Sequence, residues 1–128
     1  MHNFCLMLLP NQYAICQLPP DAANPAWARG GDLLALIRTF DELTVVCEGV
    51  DIPADARAEP GWRALKVAGP LDFSMIGVLA SLSGTLAQAD VSIFVISTFN
   101  TDYLLLKDVQ LETAIRALES QGHTVNSL

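Results

Sequence analysis

The 128-residue sequence predicts an α+β fold in which two helices cover one face of an antiparallel sheet. Three observations carry this prediction. Apolar residues recur at three- and four-residue steps between Met75 and Ala89, as in an amphipathic helix. Residues 91–97 and 103–107 are short apolar segments on either side of a polar turn, as in a β-hairpin. A second helical pattern starts at Leu111, which gives the order of a split βαβ sandwich.

Short strands are expected in the first half of the chain. Residues 3–9 and 13–18 are apolar, and the Pro-Asn between them predicts two strands joined by a tight turn. Residues 22–31 are rich in Ala, Pro and Gly, and Pro25 suits the first position of a single helical turn. We expect Trp27 to pack into the core there.

Residues 32–40 fit two interpretations. Their Leu- and Ala-rich composition, with Asp32 as a cap, favours a helix. Nine residues are short for a helix, however, and suit one half of a hairpin whose second strand is residues 43–48, so we predict a strand. Residues 49–61 hold three carboxylates and two prolines, and we expect a solvated connection with about one turn of helix.

The second half begins with a predicted strand at residues 62–67. Either Asp72 or Ser74 could cap the helix that follows. Gly77 and Gly84 lie seven residues apart on that helix, which indicates helix packing or entry and not a nucleotide-binding loop.

The last helix is predicted to start from Asp108 as its cap and to end at Gly122 in the C′ position. A sixth element is then needed at residues 123–125 to complete a βαββαβ order. The apolar face of this helix is formed by Leu111, Ala114, Ile115 and Leu118.

Composition excludes several classes of function. The net charge is −7, and the seven basic residues are scattered, so we expect binding neither to nucleic acid nor to an anionic membrane surface. No apolar run reaches the roughly 18 residues needed to cross a bilayer, and the segment from Phe4 to Leu9 lacks the basic lead-in of a signal peptide. We therefore predict a cytoplasmic protein. Since 52% of the residues are hydrophobic, a self-association surface is expected. Two small sheets with apolar strands would expose edges, so we also expect a homodimer.

Neither a catalytic site nor a metal or cofactor site is predicted. His2 and His123 lie near opposite ends of the sequence, without a Cys or carboxylate at a fixed spacing. Cys5, Cys16 and Cys47 lie in apolar runs and form no C-x-x-C pair, so we interpret them as buried free thiols.

Three segments resemble the ACT domain, and in particular the variant shared by lysine-sensitive aspartokinases and CASTOR-type arginine sensors. They are Gly-Pro-Leu-Asp-Phe-Ser at residues 69–74, Gly-Val-Leu-Ala-Ser-Leu at residues 77–82 and Ser-Thr-Phe-Asn-Thr-Asp-Tyr at residues 97–103. The resemblance covers roughly residues 62–125. The first half is similar to the companion module more loosely, through Tyr-Ala-Ile-Cys at residues 13–16 and Asp-Glu-Leu-Thr-Val-Val at residues 41–46.

The resemblance implies a ferredoxin-like βαββαβ ACT fold built as two tandem ACT-like modules with antiparallel sheets. Residues 1–60 would form a degenerate supporting module, and residues 61–128 an ACT domain. It also implies a non-catalytic protein that binds a small effector, usually an amino acid. Because the first module lacks the helix entry of the second, we expect it to support the fold and to hold no complete site.

The candidate site combines a helix entry with the hairpin. Free backbone N–H groups at a helix N-terminus within residues 71–78 could bind an α-carboxylate, and Ser74 could add a hydroxyl. The alternative is that Asp72 and Ser74 are simply caps and Gly77 a close-packing point. The resemblance implies that the hairpin supplies polar groups to the amino end of the ligand, with Asp102 as the partner of a cation. The predicted ligand-binding residues are Ser74, Met75, Ile76, Gly77, Val78, Thr98, Phe99, Asn100 and Asp102.

Two functions follow from these patterns. The first is a non-catalytic regulatory protein that binds a small molecule, and the expected ligand is an amino acid. The alternative is a dimerisation or protein-interaction module that binds no ligand.

Overall fold

A computed structural model describes residues 3–68 and 77–128. Contacts divide the chain into two units: unit 1 combines the described residues up to Pro10 with those from Arg63 onward, and unit 2 is Asn11–Trp62. The strands and helices are, in chain order, β1 (Cys5–Leu8), β2 (Tyr13–Leu18), β3 (Ala35–Arg38), β4 (Leu43–Glu48), β5 (Arg57–Val67), α1 (Val78–Gln88), β6 (Phe94–Ser97), β7 (Asp102–Lys107), α2 (Leu111–Ser120) and β8 (Thr124–Ser127). Within the described residues, neither helix is long and apolar enough to cross a membrane.

In the sheet of unit 1, the strand order is β8-β1-β5-β7-β6. Its β5-α1-β6-β7-α2-β8 succession is the predicted βαββαβ order, with β1 inserted between the first and last strands. Leu6 of β1 lies opposite Val67 in an antiparallel pair and opposite Val125 in a parallel pair. An all-antiparallel sheet was expected. The parallel pair arises because a strand inserted antiparallel to β5 must run parallel to β8.

The core of unit 1 lies between the sheet and the two helices. Leu65 and Val67 are two residues apart on β5, so their side chains point to the same face. On α1, Val78, Leu82 and Leu86 follow the four-residue spacing that lines one side of a helix, and all three are buried. The buried cluster consists of Leu6, Leu65, Val67, Val78, Leu82, Leu86, Val91, Leu104, Leu106, Ala114 and Leu118.

The C-terminal end of α2 confirms the predicted role of Gly122. This residue has φ +91°, and the amide of His123 donates to the Leu118 carbonyl at 3.1 Å, as in a Schellman motif. His123 is buried, its Nδ1 accepts from the Phe4 amide at 3.0 Å, and its ring stacks on that of Phe4. The histidine therefore has a structural role.

Unit 2 has the strand order β3-β4-β2-β5, and all of its pairs are antiparallel. All its residues are described, and none of them is helical; the helical turn predicted within residues 22–31 is a simple turn. Residues 32–40 contain a strand, as predicted. Ala14, Cys16, Leu43, Val45 and Cys47 form the buried cluster, and Trp27 packs against it.

Two strand predictions need correction. The strands at residues 3–9 and 13–18 exist but do not form a hairpin, because β1 pairs with β5 and β8 while β2 pairs with β4 and β5. The predicted connection at residues 49–61 ends early, since β5 begins at Arg57. The first part of β5 belongs to unit 2 and its last part to unit 1.

The predicted caps of both helices also differ from those observed. The N-cap of α1 is Gly77, whereas Asp72 and Ser74 lie outside the described residues. Asp108 begins a short 3₁₀ turn ahead of α2, and its carboxylate pairs with the Arg63 guanidinium at 3.2 Å. The strand predicted at residues 91–97 is shorter because the Val91 amide donates to the Leu86 carbonyl and belongs to the end of α1.

The cysteines are free thiols. Cys16 and Cys47 are buried as predicted, whereas Cys5 is only half-buried. Burial raises the pKa of Cys47 to about 12 and also raises the pKa of Cys16. Since the thiolate is the reactive form, these two thiols are poor nucleophiles and poor metal ligands.

Candidate functional site

The predicted site consists of two segments of unit 1, the entry to α1 and the turn between β6 and β7. Of the entry, Ser74, Met75 and Ile76 lie outside the described residues, whereas Gly77 and Val78 are described. Of the turn, Thr98, Phe99, Asn100 and Asp102 are all described.

Gly77 is the residue at which the chain enters α1. Its φ of +84° lies in the left-handed region, which glycine adopts without strain. Among the described residues, no atom lies within 4 Å of the position that a Cβ would occupy at Gly77 or at Gly84. The described residues therefore give neither glycine a close packing contact, and Gly77 lies at the helix entry, which was the other predicted role.

Among the described residues, no side chain caps the N-terminus of α1. The first intrahelical bond runs from the Ser81 amide to the Gly77 carbonyl at 2.8 Å. The amides of the first turn, which starts at Val78, have no intrahelical acceptor by the geometry of any α-helix. They carry the positive end of the helix dipole, which suits an anion such as a carboxylate. The Val78 side chain, by contrast, is buried in the core.

The turn between β6 and β7 is held by Thr98. Its amide donates to the Thr101 carbonyl at 2.8 Å, and its hydroxyl donates to the same carbonyl at 3.0 Å. The Thr98 hydroxyl also accepts from the Thr101 amide at 3.3 Å. Both backbone and side chain of Thr98 are thus engaged within the turn, which gives the residue a structural role.

Thr101 ties this turn to the end of β5. Its side chain is buried, and its hydroxyl donates to the Val67 carbonyl at 2.6 Å. Val67 is the last residue of β5, and the chain runs from there towards α1. The β6–β7 turn and the start of the β5–α1 connection therefore meet at the same edge of the sheet. Thr101 was not among the predicted site residues, because a threonine in a polar turn gives no local signal of a contact 34 residues away.

Asp102 is the first residue of β7 and lies opposite Ser97, not at the tip of the turn. Its Oδ1 accepts from the Ser97 hydroxyl at 2.6 Å. Because strand side chains alternate, Asp102 points to the same face as Leu104 and Leu106, which pack with α1 and α2. The carboxylate and the N-terminus of α1 thus belong to one face of the sheet.

The remaining turn residues face solvent. Phe99 is 82% exposed, and Asn100 is exposed as well. Tyr103 points to the opposite face from Asp102, where the Lys66 ammonium lies 5.9 Å from its ring centre. Tyr103 would therefore not contact a ligand that is bound by Asp102.

The described residues offer a position for an anion and a carboxylate that can receive a cation, both on one face of the sheet. The N-terminus of α1 can receive a carboxylate, and Asp102 can accept from an ammonium or guanidinium group. Within residues 3–68 and 77–128, no three His, Cys, Asp or Glu side chains are grouped closely enough to hold a metal ion. The chemistry available from the described part of the site is binding by charge and hydrogen bonds.

A comparison with known families finds a match in each half of the chain. The family model described as ACT domain matches residues 57–120, half of the chain, from the first residue of β5 to the last residue of α2. A second family model, described as an N-terminal domain, matches residues 11–55, which lie within unit 2.

The chain is also similar to individual proteins. The cytosolic arginine sensor for mTORC1 subunit 1 of Bos taurus is 39% identical over 67 residues, which are 52% of this chain and 20% of that protein. The chain thus spans about a fifth of the length of the curated relatives that it matches. The crystal structure of protein Atu0741 from Agobacterium tumefaciens matches with a TM-score of 0.93 at 37% identity, over 100% of this chain and 96% of that one.

The fold is also similar to that of the regulatory subunit of an enzyme. The ligand-free regulatory subunit of aspartate kinase from Thermus thermophilus matches with a TM-score of 0.61 over 90% of this chain and 95% of that one. Its identity is only 14%, so this match concerns the fold alone. Together with the family model, it confirms the predicted α+β, ferredoxin-like fold class.

The tie between the turn and β5 predicts a measurable contribution to stability. Thr101→Val keeps the shape of the buried side chain but removes the donor to the Val67 carbonyl. We expect the free energy of unfolding, measured by urea denaturation, to fall by about 1–3 kcal/mol.

Thr85→Val is the matched control, because its hydroxyl donates at 3.1 Å to the Ser81 carbonyl on the exposed side of α1. A helical carbonyl already has a backbone donor, so a change within about 0.5 kcal/mol is expected. Equal effects of the two substitutions would show that the buried hydroxyl does not anchor the turn.

Proposed function

The chain belongs to the ACT-domain family, and on that premise we propose that it is a non-catalytic regulatory protein that binds an amino acid. The observation that carries the proposal is the Thr101–Val67 hydrogen bond, since it brings together the turn and the end of β5 from which the chain leads to α1. In this proposal the site is built across that edge of unit 1.

The charges of the two segments match those of an amino acid. The N-terminus of α1 would receive the α-carboxylate through the amides of its first turn, with Ser74, Met75 and Ile76 completing that side of the site. Asp102 would accept hydrogen bonds from the ammonium group or from a cationic side chain. One of its oxygens already accepts from Ser97, and a carboxylate has further lone pairs for a ligand.

Amino-acid sensing is also the function named for the similar mammalian proteins, which are cytosolic arginine sensors. Because they match over only about a fifth of their length, arginine itself is one candidate ligand among the amino acids. We propose the same cytosolic location for this chain.

We further propose that the chain is a tandem of two ACT-like modules. Without the inserted β1, the strands of unit 1 have the order last-first-third-second, as β8-β5-β7-β6. The strands of unit 2, β3-β4-β2-β5, have the order second-third-first-last, which is the same order read in the opposite direction. Unit 2 would then be a degenerate module whose two helices are replaced by loops. The module boundary would lie between Trp62 and Arg63 within β5, two residues beyond the boundary predicted after residue 60.

A homodimer is supported by an exposed apolar edge in unit 2. β3 is the outer strand, and Leu36 and Ile37 on it are 37% and 43% exposed. Leu34 and Phe40 flank the strand at 47% and 96% exposure. An apolar outer strand with unpaired backbone groups is a template for pairing with another chain. We propose that a second copy of this chain covers it, and the same surface would serve the rival function of an interaction module without a ligand.

The role of Asp102 can be tested with Asp102→Asn, which removes the charge and retains an oxygen for the Ser97 hydroxyl. We expect the affinity for the amino-acid ligand, found by calorimetric screening of the twenty amino acids, to fall at least about tenfold. Asp21→Asn is the control, since it removes an equal charge from an exposed turn of unit 2. Equal affinities of the two variants would show that Asp102 does not bind the ligand.

At the carboxylate end, Gly77→Val would introduce backbone strain, because its φ is +84°. Gly77→Asn is the better variant, since asparagine tolerates this conformation and still adds bulk at the helix entry. We expect it to weaken amino-acid binding while the circular-dichroism spectrum stays that of the parent. Undiminished binding would place the carboxylate elsewhere.

The dimer proposal predicts that Ile37→Lys separates the two copies. A charge on the outer strand opposes strand pairing, so light scattering should change from twice the chain mass to 13.8 kDa at micromolar concentration. Val109→Lys, at a 90% exposed position of unit 1, is the control and should remain dimeric. A parent protein that is already monomeric would contradict the proposal.

A further inference from the structure

Unit 2 contains a cleft that is separate from the residues predicted to bind the amino acid. It has a volume of about 290 Å³ and lies where β2 begins and β4 ends. Gly61 borders it at the point where the pairing of β5 with β2 shifts register. Its walls include Asn11, Gln12, Glu48, Gly49, Pro60 and Gly61. We propose that this cleft is a second binding site, which takes a small aliphatic amine through the carboxylate of Glu48.

The carboxylate of Glu48 is held in place from several sides. Its Oε1 accepts from the Asn11 amide group at 3.2 Å. A Cβ on Gly31 would overlap the same oxygen, so the absence of a side chain at Gly31 is what lets the loop lie against it. The Glu48 amide donates to the Arg29 carbonyl at 2.6 Å, which fixes the backbone as well. A carboxylate held in this way needs little reorganisation to receive a donor.

The charge of the cleft selects a cation. Glu48 is the one charged residue among those that line it, and no lysine or arginine is among them. The guanidinium of the nearby Arg29 is already paired with Asp51 at 2.8 Å, so it does not neutralise Glu48. An ammonium group would gain a charge-assisted hydrogen bond with the Glu48 carboxylate.

The same lining discriminates against amino acids. A zwitterion would bring a carboxylate into a cleft that has no cationic side chain to receive it, next to the negative charge of Glu48. An amine without a carboxylate avoids this repulsion. The cleft and the edge at Asp102 therefore favour different ligand classes, and this inference does not depend on the proposed amino-acid site.

The dimensions of the cleft agree with a small ligand. Its volume lies at the lower end of the range of about 300–1,000 Å³ that is usual for small-molecule pockets. Gly49 and Gly61 have no side chains to fill the space, and no atom of the described residues lies within 4 Å of a Cβ position at Gly61. This proposal departs from the expectation that the first module holds no complete site.

The test uses putrescine, a four-carbon diamine, and calorimetry on the full chain. We expect saturable binding of one putrescine per chain, and a loss of about ten- to 150-fold in affinity for Glu48→Gln. Glutamine keeps an oxygen for the Asn11 amide group, and the unfolding temperature verifies that the variant is folded. Lysine, which adds an α-carboxylate to a similar amine, should bind the cleft more weakly than putrescine.

Asp55→Asn is the matched control, because it removes one negative charge from an exposed loop of the same unit. It should bind putrescine within about twofold of the parent. Equal weakening by Glu48→Gln and Asp55→Asn would mean general attraction to an acidic chain and would overturn the proposal, as would the absence of saturable binding. Asp102→Asn should leave putrescine binding unchanged, so that failure of the amino-acid site and failure of this site are distinguishable.

Discussion

The pairing of β7 with β5, reinforced by one buried hydrogen bond, places the β6–β7 turn beside the end of β5 in unit 1. The Thr101 hydroxyl is removed from solvent and donates to the carbonyl of Val67, at the end of the strand that leads to α1. The turn also has local hydrogen bonds of its own, and the pairing of β7 with β5 places it beside that strand. A buried hydroxyl needs a partner, so the Thr101 contact is a requirement of burial that adds to this strand pairing in placing Asp102.

Packing then fixes which side of the sheet the site occupies. The alternation of β7 sends Leu104 and Leu106 into the core beneath the helices, and Asp102 must point to that same face. α1 is held on this face by Val78, Leu82 and Leu86, so core residues place the N-terminus of this helix. The hydrophobic core therefore brings a helix end and a carboxylate to one face without using either of them in folding.

The sequence predicted which strands and helices unit 1 contains better than it predicted which strands pair with each other. Periodicity is local, so it reveals the apolar face of α2 and the hairpin of β6 and β7, each of which is complete within a short segment. The insertion of β1 between β5 and β8 joins residues about 60 and 120 positions apart, and no local pattern specifies such a pairing. The same limit explains why Asp108 was assigned to a cap, since its actual partner, Arg63, is 45 residues away.

The candidate site stays a prediction, because it rests on the resemblance to a family and part of it lies outside the described residues. Of its two segments, the structure describes Gly77 at the start of α1 and the turn between β6 and β7. The resemblance did not reveal that the Thr98 hydroxyl is hydrogen-bonded within the turn, or that the Thr101 hydroxyl donates to the Val67 carbonyl. Gly77 was predicted at a helix entry, but its left-handed backbone conformation, which favours glycine, was not predicted.

The most direct measurement is a nitrogen-15 NMR titration of the parent protein with the amino acid that gives the strongest calorimetric response. The account predicts that the backbone amides of Gly77, Val78, Asn100 and Asp102 shift together with one dissociation constant, because one ligand would bridge both segments. Amides of unit 2 should stay unchanged at the same concentrations. Shifts confined to unit 2, or no shifts with any of the twenty amino acids, would contradict the central claim that this edge of unit 1 is an amino-acid site.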